Sequence, residues 1–383
     1  MAESAAAAAA SEVARARHTA GLQARAAGRF RVAAEAFLAS LEAEPRWQPS
    51  YHALQFTRLS DADVAELQPR LRGVVERVPH LALAQQVLAF WQRRCGEEAA
   101  ALQRSYHAAQ LCCGPMHRPH LLAAAEPQLP EALILGAPKS GTTSLLAYLS
   151  RHPRIWAHPR KELHFFDSYW QWGEAWYRNQ FPVFRPGSGI VRIEATPNYL
   201  QLPCGPERVA TLMPEARLIV LLREPLERAL SWFHHMQRQE GLQGEAARVL
   251  EQEADELAAL SPEQRNALGW HHPNCLTGSL YPAQLQRWRH QFPADQLLVL
   301  RLEDLAADPP AVLARVLAFL GLPPLPWASE GQRGAWRVRH NAAPEAYGDL
   351  PADLSERLRE GVLAEAHQLW RDLEHPPDAD LKP

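Results

Sequence analysis

The segment from Ala132 to Ser150, ALILGAPKSGTTSLLAYLS, constrains the fold of this chain more than any other. It reads as a short apolar run, a loop that contains Gly136 and Gly141, and an apolar segment with helical spacing. A loop between a strand and a helix N-terminus offers free backbone N–H groups and a favourable dipole to a phosphate. The segment therefore predicts an α/β domain built around a P-loop-like phosphate site.

The loop differs from the G-x-x-x-x-G-K-[ST] pattern of nucleoside-triphosphate sites in the position of its lysine. Thr142 and Thr143 follow Gly141 directly, and Lys139 precedes it. The lysine that would reach a β- or γ-phosphate of a Mg²⁺-nucleotide is therefore missing from its usual place. We expect a phosphate ligand that is not an ordinary triphosphate.

Apolar strand patterns and helical patterns alternate along the rest of the chain. The predicted strands lie at 154–157, 189–195, 216–222 and 296–302, and the predicted helices at 144–150, 281–292 and 310–320 and after Pro225. The run ARLIVLL at 216–222 is typical of a strand that is buried on both faces of a parallel sheet. This alternation predicts a doubly wound parallel sheet, whose ligands bind beyond the carboxyl ends of the strands.

The residues before this domain are predicted to form a separate helical region. The Ala-rich residues 1–15 are expected to be disordered, and residues 16–113 carry apolar side chains at helical spacing. Four of them fit the spacing of a tetratricopeptide (TPR) helical hairpin, namely Gly21, Ala33, Phe37 and Pro45. A second repeat, which would begin near Tyr51, fits this spacing poorly. A TPR-like hairpin and a plain helical bundle therefore stay equal alternatives. Residues 114–130 read as a linker to an α/β domain at 131–383, and the helices are candidates for binding a protein partner.

Composition restricts the partners and the location that we expect. The chain has 383 residues, of which 47% are hydrophobic, and a formal net charge of −3, so no overall attraction to nucleic acid is predicted. The five cysteines follow no zinc-site spacing, and no metal is predicted. No run of about 18 apolar residues suggests a transmembrane segment, and the N-terminus lacks the apolar core of a secretion signal. Cytoplasmic location is the expectation.

Five motifs taken together resemble those of the sulfotransferase family, and more narrowly its carbohydrate branch, which includes the heparan-sulfate O- and N-sulfotransferases. They are LGAPKSGTTSL, KELHFFD, EATPNYL, LIVLLREPLERALSWF and SLYPAQLQRW. The resemblance extends clearly from about Leu133 to Leu322 and leaves the helical region outside. It implies 3′-phosphoadenosine 5′-phosphosulfate (PAPS) as donor, PAP as product, no metal, and in-line transfer of a sulfuryl group to an acceptor hydroxyl or, as the weaker alternative, an amine.

The resemblance also implies which residues bind the donor. The family's 5′-phosphosulfate loop is matched by Lys139, Ser140, Gly141, Thr142, Thr143 and Ser144. Lys139 is expected to neutralise charge on the bridging oxygen as the S–O bond breaks. The 3′-phosphate site is matched by Arg223 and Ser231, although Arg223 alone reads equally well as an ion-pair partner of Glu224 or Glu227. Tyr281 matches a position near the nucleotide or is a core aromatic, and Arg339 is placed in a loop that closes over the donor or is a solvated loop residue.

The acceptor side is implied by two further motifs. Glu162 matches the general base of the family's E-x-H-F-F-D motif, with His164 and Asp167 as its assisting residues. In an extended segment Glu162 and His164 would point to one side. The remaining two substrate-binding candidates are Glu194 and Tyr199, from EATPNYL.

One residue of EATPNYL departs from the family's pattern. Ala195 stands where the heparan-sulfate O-sulfotransferases carry a Lys after the Glu, so one cation on the acceptor side is lost. This departure argues against a sulfated polysaccharide acceptor. The acceptor is expected to be a carbohydrate or a small metabolite.

Two other functions share parts of this pattern. A nucleoside or small-molecule kinase would use a phosphate loop, but the missing Lys after Gly141 argues against it. A non-catalytic helical scaffold with a nucleotide-binding domain would share the fold, but the intact set of Lys139, Glu162, Arg223 and Ser231 argues against it. Phosphorylation without a sulfate donor would favour the kinase, and nucleotide binding without turnover would favour the scaffold.

Overall fold

A computed structural model of the chain describes residues 2–122, 125–240, 242–269, 274–324 and 350–374. The chain divides into two compact units. A helical unit contains the residues up to Gln128 together with Ala175–Arg185, and an α/β unit contains Leu129–Glu174 and the described residues from Pro186 onward. Within the described segments, no helix combines the length and apolar character needed to cross a membrane.

The described residues form α-helices and strands in the following order along the chain. The helices are α1 (Ala2–Ala26), α2 (Phe30–Ala43), α3 (Gln48–Gln55), α4 (Asp61–Glu76), α5 (Ala82–Arg94), α6 (Glu98–Leu111), α7 (Thr142–Leu149), α8 (Gly173–Arg178), α9 (Gly205–Leu212), α10 (Pro225–Glu240), α11 (Ala246–Ala258), α12 (Pro262–Ala267), α13 (Tyr281–Gln291), α14 (Leu302–Ala307), α15 (Pro309–Phe319), α16 (Ala352–Glu360) and α17 (Ala364–Asp372). The strands are β1 (Ala132–Gly136), β2 (Ile155–Ala157), β3 (Val191–Ala195), β4 (Arg217–Leu222) and β5 (Leu297–Arg301).

The helical unit begins with a close-packed pair of helices, α1 and α2. Ala33 and Phe37 of α2 are fully buried. Gly21 of α1 is needed for this contact, because a Cβ atom there would lie 2.4 Å from Cε1 of Phe37. Gly21, Ala33 and Phe37 therefore belong to one helical pair, and Pro45 follows its second helix. The membership of this pair in the TPR class stays a prediction.

The Ala-rich start of the chain is helical, in contrast to the disorder expected for residues 1–15. Helix α1 begins at Ala2 and runs to Ala26 without a break. Alanine has the highest intrinsic helix propensity, and neither Gly nor Pro interrupts the first turns. Low sequence complexity was a poor guide here because the repeated residue is itself a helix former.

A segment from the middle of the chain belongs to the helical unit. The Leu122 N–H donates to the Val183 carbonyl at 2.9 Å, and the Arg185 N–H donates to the His120 carbonyl at 2.8 Å. These bonds tie Ala175–Arg185 to the end of the helical unit, although the sequence analysis placed the segment in an α/β domain at 131–383. The division before Leu129 falls inside the predicted linker.

The α/β unit is built on a parallel sheet with the strand order β2-β3-β1-β4-β5. Strand β1 lies in the middle and pairs with β3 on one side and β4 on the other. All five strands fall in the ranges predicted from their apolar runs, and the predicted doubly wound parallel sheet is confirmed. Because the strands are parallel, the residues after β1, β3 and β4 meet at one edge of the sheet.

Two apolar clusters stabilise this unit. In the first, inward-facing residues of β1, β4 and β5 pack with α7 and α15, and Ile134, Ile219 and Leu300 are at most 1% exposed. In the second, α10 packs with α11 and α16 around residues such as Phe233, Leu250 and Leu354. These clusters fix the helix that begins at the phosphate loop and the helix that follows β4.

Candidate active site

Two glycines shape the loop between β1 and α7. Gly141 has a φ of +86°, and a Cβ atom there would lie 2.5 Å from Cδ1 of Leu302. A Cβ atom at Gly136 would lie 2.6 Å from the Pro197 carbonyl oxygen. The loop is anchored to the neighbouring strand by the Ala137 N–H, which donates to the Leu221 carbonyl at 2.8 Å. Both positions of the predicted phosphate loop therefore require glycine on steric grounds.

The N-terminus of α7 is open to an anion. Its N-cap is Gly141, which has no side chain to accept from the first N–H groups of the helix. Ser140 and Thr142 are buried beneath the loop, whereas Thr143 and Ser144 are partly exposed. Uncapped N–H groups with adjacent hydroxyls at a helix N-terminus suit a phosphate group.

Several cations gather around Lys139. Burial lowers the pKa of Lys139, and the charges of Arg238, Lys161 and Arg223 lower this pKa further. The charge of Glu162 acts in the opposite direction and raises this pKa. Lys139 therefore lies within electrostatic range of side chains from the loop after β2, the end of β4 and the end of α10. Like charges that converge in this way favour a bound anion.

Glu162 is held by two cationic neighbours. Lys161 Nζ lies 2.7 Å from Glu162 Oε1, and His164 Nε2 lies 3.7 Å from Glu162 Oε2. Burial alone would raise the pKa of the Glu162 carboxyl, but its interactions with His164 and Lys161 outweigh burial and hold the pKa at about 2. Glu162 is therefore an ionised carboxylate at neutral pH.

His164 lies between two carboxylates. Its Nδ1 is 2.8 Å from Asp167 Oδ2, while Nε2 faces Glu162. Burial would lower the pKa of His164, but the interactions with Asp167 and Glu162 outweigh burial and raise the pKa to about 9. His164 is therefore a cation at neutral pH, and in this state it orients Glu162 rather than accepting a proton.

The segment that carries Glu162 is not extended, which corrects the sequence prediction. Glu162 and His164 both have positive φ values, +68° and +56°. Leu163 between them is fully buried, so the two polar side chains still share one side of the loop. The Glu162 N–H donates to the Ala195 carbonyl at 2.9 Å, and this bond holds the loop at the carboxyl end of β3. The backbone turns because it leaves the sheet there.

Glu194 and Tyr199 support this loop from below. Both side chains are fully buried, so their burial does not fit the predicted contact with an acceptor. The Tyr199 hydroxyl accepts from the N–H groups of Phe165 at 2.8 Å and Phe166 at 3.4 Å. Burial raises the pKa of Glu194 to about 7, against the opposing effect of the hydroxyl of Thr196, which donates to it.

Arg223 and Tyr281 lie together at the end of β4. The Tyr281 hydroxyl donates to the Arg223 carbonyl at 2.9 Å, and burial raises the pKa of Tyr281 to about 12. The Arg223 guanidinium contacts Glu227 Oε2 at 3.0 Å. In this structure, Arg223 is therefore an ion-pair partner of Glu227, as the alternative interpretation of its sequence predicted. Ser231 lies further along α10 and is buried. Its contact with a 3′-phosphate stays a prediction, and Arg339 lies outside the described residues.

Three cations near this site were left out of the predicted site residues. Lys161 and Arg238 act on the pKa of Lys139, and Arg238 stands two helical turns after Ser231, a spacing that signals the same face of α10. Arg228 is fully buried in α10 and donates to the carbonyls of Asn274 and Cys275 at 3.2 and 3.1 Å. No sequence signal separates a buried arginine of this kind from a solvated one.

This chain is similar to proteins of known family. A family model described as the sulfotransferase domain matches residues 129–333. The chain is 30% identical over 226 residues to the bifunctional heparan sulfate N-deacetylase/N-sulfotransferase 1 of Caenorhabditis elegans, covering 56% of this chain and 25% of that protein. It is 33% identical over 208 residues to the heparan sulfate glucosamine 3-O-sulfotransferase 3A1 of Mus musculus, covering 53% and 48%.

A solved sulfotransferase structure from Alicyclobacillus acidocaldarius aligns with 64% of this chain and 99% of its own, at 26% identity and a TM-score of 0.47. The chain thus spans between a quarter and about half of the length of these two curated relatives. The family match covers more than half of the chain and includes both predicted phosphate motifs. The chain therefore belongs to the sulfotransferase family, and its predicted resemblance to the carbohydrate branch of that family is confirmed.

Proposed function

We propose that this sulfotransferase moves a sulfuryl group from PAPS to a hydroxyl of a carbohydrate or small metabolite. The observation that carries this proposal is the electrostatic interaction between Lys139 and Glu162 at the carboxyl edge of the sheet. The charge of Glu162 raises the pKa of Lys139 although the two residues lie on separate loops. A cation that can stabilise a leaving group and a carboxylate that can take an acceptor proton thus act on each other electrostatically, which supports this proposal.

The residues around the phosphate loop suit the donor's anionic groups. The N–H groups at the start of α7, with Thr143 and Ser144, would hold the 5′-phosphosulfate, and Arg223 with Ser231 would hold the 3′-phosphate. The donor supplies a sulfuryl group on a phosphate leaving group. Lys139 would stabilise the negative charge that develops on that leaving oxygen.

Glu162 would accept the proton of the acceptor hydroxyl. A carboxylate with a pKa of about 2 is a weak base, because Lys161 and His164 stabilise its charge. The charge of Lys161 also acts on Lys139 in the phosphate loop. When an anion draws Lys161 toward the phosphate loop, Glu162 loses one of its cationic partners and becomes a stronger base.

The acceptor is proposed from the residues near Glu162. The curated relatives are named for heparan sulfate, a polyanion. At the position after Glu194, this chain has the small apolar Ala195, which gives no cation to a sulfate or carboxylate. We therefore favour a neutral saccharide or a small hydroxylated metabolite over a highly sulfated polysaccharide, and a hydroxyl over an amine.

A screen for sulfated products tests this function. The full chain is incubated with PAPS and pools of neutral saccharides, heparan-type oligosaccharides and small metabolites, and products are identified by mass spectrometry. Formation of a sulfated hydroxyl product, lost in Glu162→Gln, would support the proposal. Phosphorylated products with ATP would favour a kinase, and PAPS binding without product from any pool would favour the scaffold.

A further inference from the structure

The helical unit has a layered arrangement that the sulfotransferase reaction does not use. Helix α1 contacts α3, and α3 contacts α5; these three helices form what we call the first layer. Helix α2 contacts α4, and these two helices form the second layer. Helix α3 begins at Gln48 and α5 begins at Ala82, 34 residues later. This interval, together with the two layers, is typical of stacked helical repeats, which offer extended binding surfaces.

Side chains recur in phase on the first layer. His18 and Leu22 on α1 are followed 34 residues later by His52 on α3 and by Phe56 directly after α3. Leu22 is 37% exposed and Phe56 is 55% exposed. Packed neighbouring helices lie about 8–10 Å apart, so the two apolar side chains are spaced for one extended ligand. The His18 ring nitrogen lies 3.1 Å from Ser50 Oγ, which ties the two helices together.

The charges of the two layers differ. Between Ala14 and Ala26 and throughout α3 there is no Asp or Glu, and the described carboxylates form no ion pair with Arg15 or Arg25. On the second layer, by contrast, Arg31 contacts Asp63 at 3.0 Å and Arg70 contacts Glu42 at 2.8 Å. The second layer balances its own charge, and Arg94 of α5 pairs with Asp61 at 2.7 Å. Within the first layer it is therefore α1 that presents guanidinium groups beside exposed apolar side chains.

We propose that the first-layer surface formed by Arg15, Leu22, Arg25, His52 and Phe56 binds an extended acidic peptide segment of another protein. Its carboxylates would pair with Arg15 and Arg25, and its apolar side chains would cover Leu22 and Phe56. A sulfated glycan would match the arginines but has no apolar side chains for Leu22 and Phe56. The combination of both features favours a peptide over a polysaccharide.

Selection from a random peptide display library against the full chain tests this surface. The expected result is enrichment of peptides that combine Asp or Glu with Leu, Ile or Phe. For a selected peptide, the Leu22→Ser/Phe56→Ser double variant should raise the dissociation constant about tenfold or more, because two apolar contacts are lost. Arg15→Glu/Arg25→Glu should weaken binding by a similar factor, and more strongly at low salt.

Val32→Ser provides a matched control. Val32 is an exposed apolar residue on α2, in the second layer, with 48% exposure, and its replacement should leave the dissociation constant unchanged. Circular dichroism of each variant checks that the helices are intact. Enrichment of basic or uncharged peptides, or an equal loss in Val32→Ser, would overturn the proposal. So would binding of a heparin oligosaccharide that depends on Arg15 and Arg25 while no acidic peptide is selected.

Discussion

Lys161 Nζ lies 2.7 Å from Glu162 Oε1, so the proposed general base forms an ion pair with its own neighbour in the chain. This pairing contributes to the low pKa of Glu162 and must weaken before the carboxylate can accept a proton effectively. Lys161 therefore controls how strong a base Glu162 is.

Lys161→Met should therefore change the pH dependence of the reaction. Removing the ammonium removes one cause of the low pKa of Glu162, so the pKa rises above its present value of about 2. Because activity needs the ionised carboxylate, the acidic limb of the kcat–pH profile should move to higher pH. An acidic limb at the wild-type position would show that Lys161 does not control Glu162.

The pair formed by His164 and Asp167 should make stability depend on pH. His164 has a raised pKa of about 9 in the folded protein, against an ordinary value near 6.5. The interactions that raise this pKa therefore stabilise the folded protein fully below about pH 6.5, and this stabilisation is lost as the pH rises through about 9. Urea unfolding of wild type and His164→Gln across this window should show a smaller loss of unfolding free energy in the variant. Parallel curves would contradict the raised pKa.

Tyr199→Phe should weaken both stability and turnover. The substitution keeps the ring but leaves the Phe165 N–H without the acceptor that it contacts at 2.8 Å. We expect a loss of about 1–3 kcal/mol in unfolding free energy, since a buried donor is left unpaired. The kcat should also fall, because the same loop carries Glu162.

Tyr51→Phe is the control for Tyr199→Phe. Tyr51 is fully buried in the helical unit and donates to the Pro45 carbonyl at 3.0 Å. Its variant should lose stability without loss of kcat. A Tyr199→Phe enzyme with wild-type kcat would show that the hydroxyl of Tyr199 is not needed to hold the Glu162 loop for catalysis.

Arg223→Ala should mainly weaken donor binding, by roughly 2–4 kcal/mol if the phosphate contact is charge-assisted and buried. Arg223 now pairs with Glu227 at 3.0 Å, so the donor must compete with that carboxylate. Glu227→Gln should therefore leave the affinity for PAP unchanged or improve it. Isothermal titration with PAP measures both effects, and normal affinity in Arg223→Ala would reject the 3′-phosphate assignment.

The sheet was predictable because its information is local. The apolar runs that become β4 and β5 stand out in the sequence, since strands that are buried on both faces need continuous apolar residues. The phosphate loop was equally visible, because Gly136 and Gly141 are required by close contacts at fixed spacing. Short helices such as α9 and α14 were missed, since eight or fewer residues give little periodic signal.

The site was only partly predictable, because the charges that act on one another there come from elements far apart in the sequence. Nothing local in the sequence brings Arg238 to Lys139, since they lie on different elements. The left-handed backbone at Glu162 also has no signal in its residue type, which is uncommon at positive φ. The sequence analysis assigned Tyr199 to acceptor binding. Its burial could not be predicted, because it depends on how the loop folds over it.

The most direct test of the account is the effect of Glu162→Gln on the release of PAP in the presence of an acceptor identified by the screen. The substitution keeps the shape of the side chain but removes the group that would take the acceptor proton. We predict a fall in kcat of about 10²–10⁴-fold with a donor dissociation constant close to wild type. A Glu162→Gln enzyme that releases PAP at the wild-type rate would contradict the central claim.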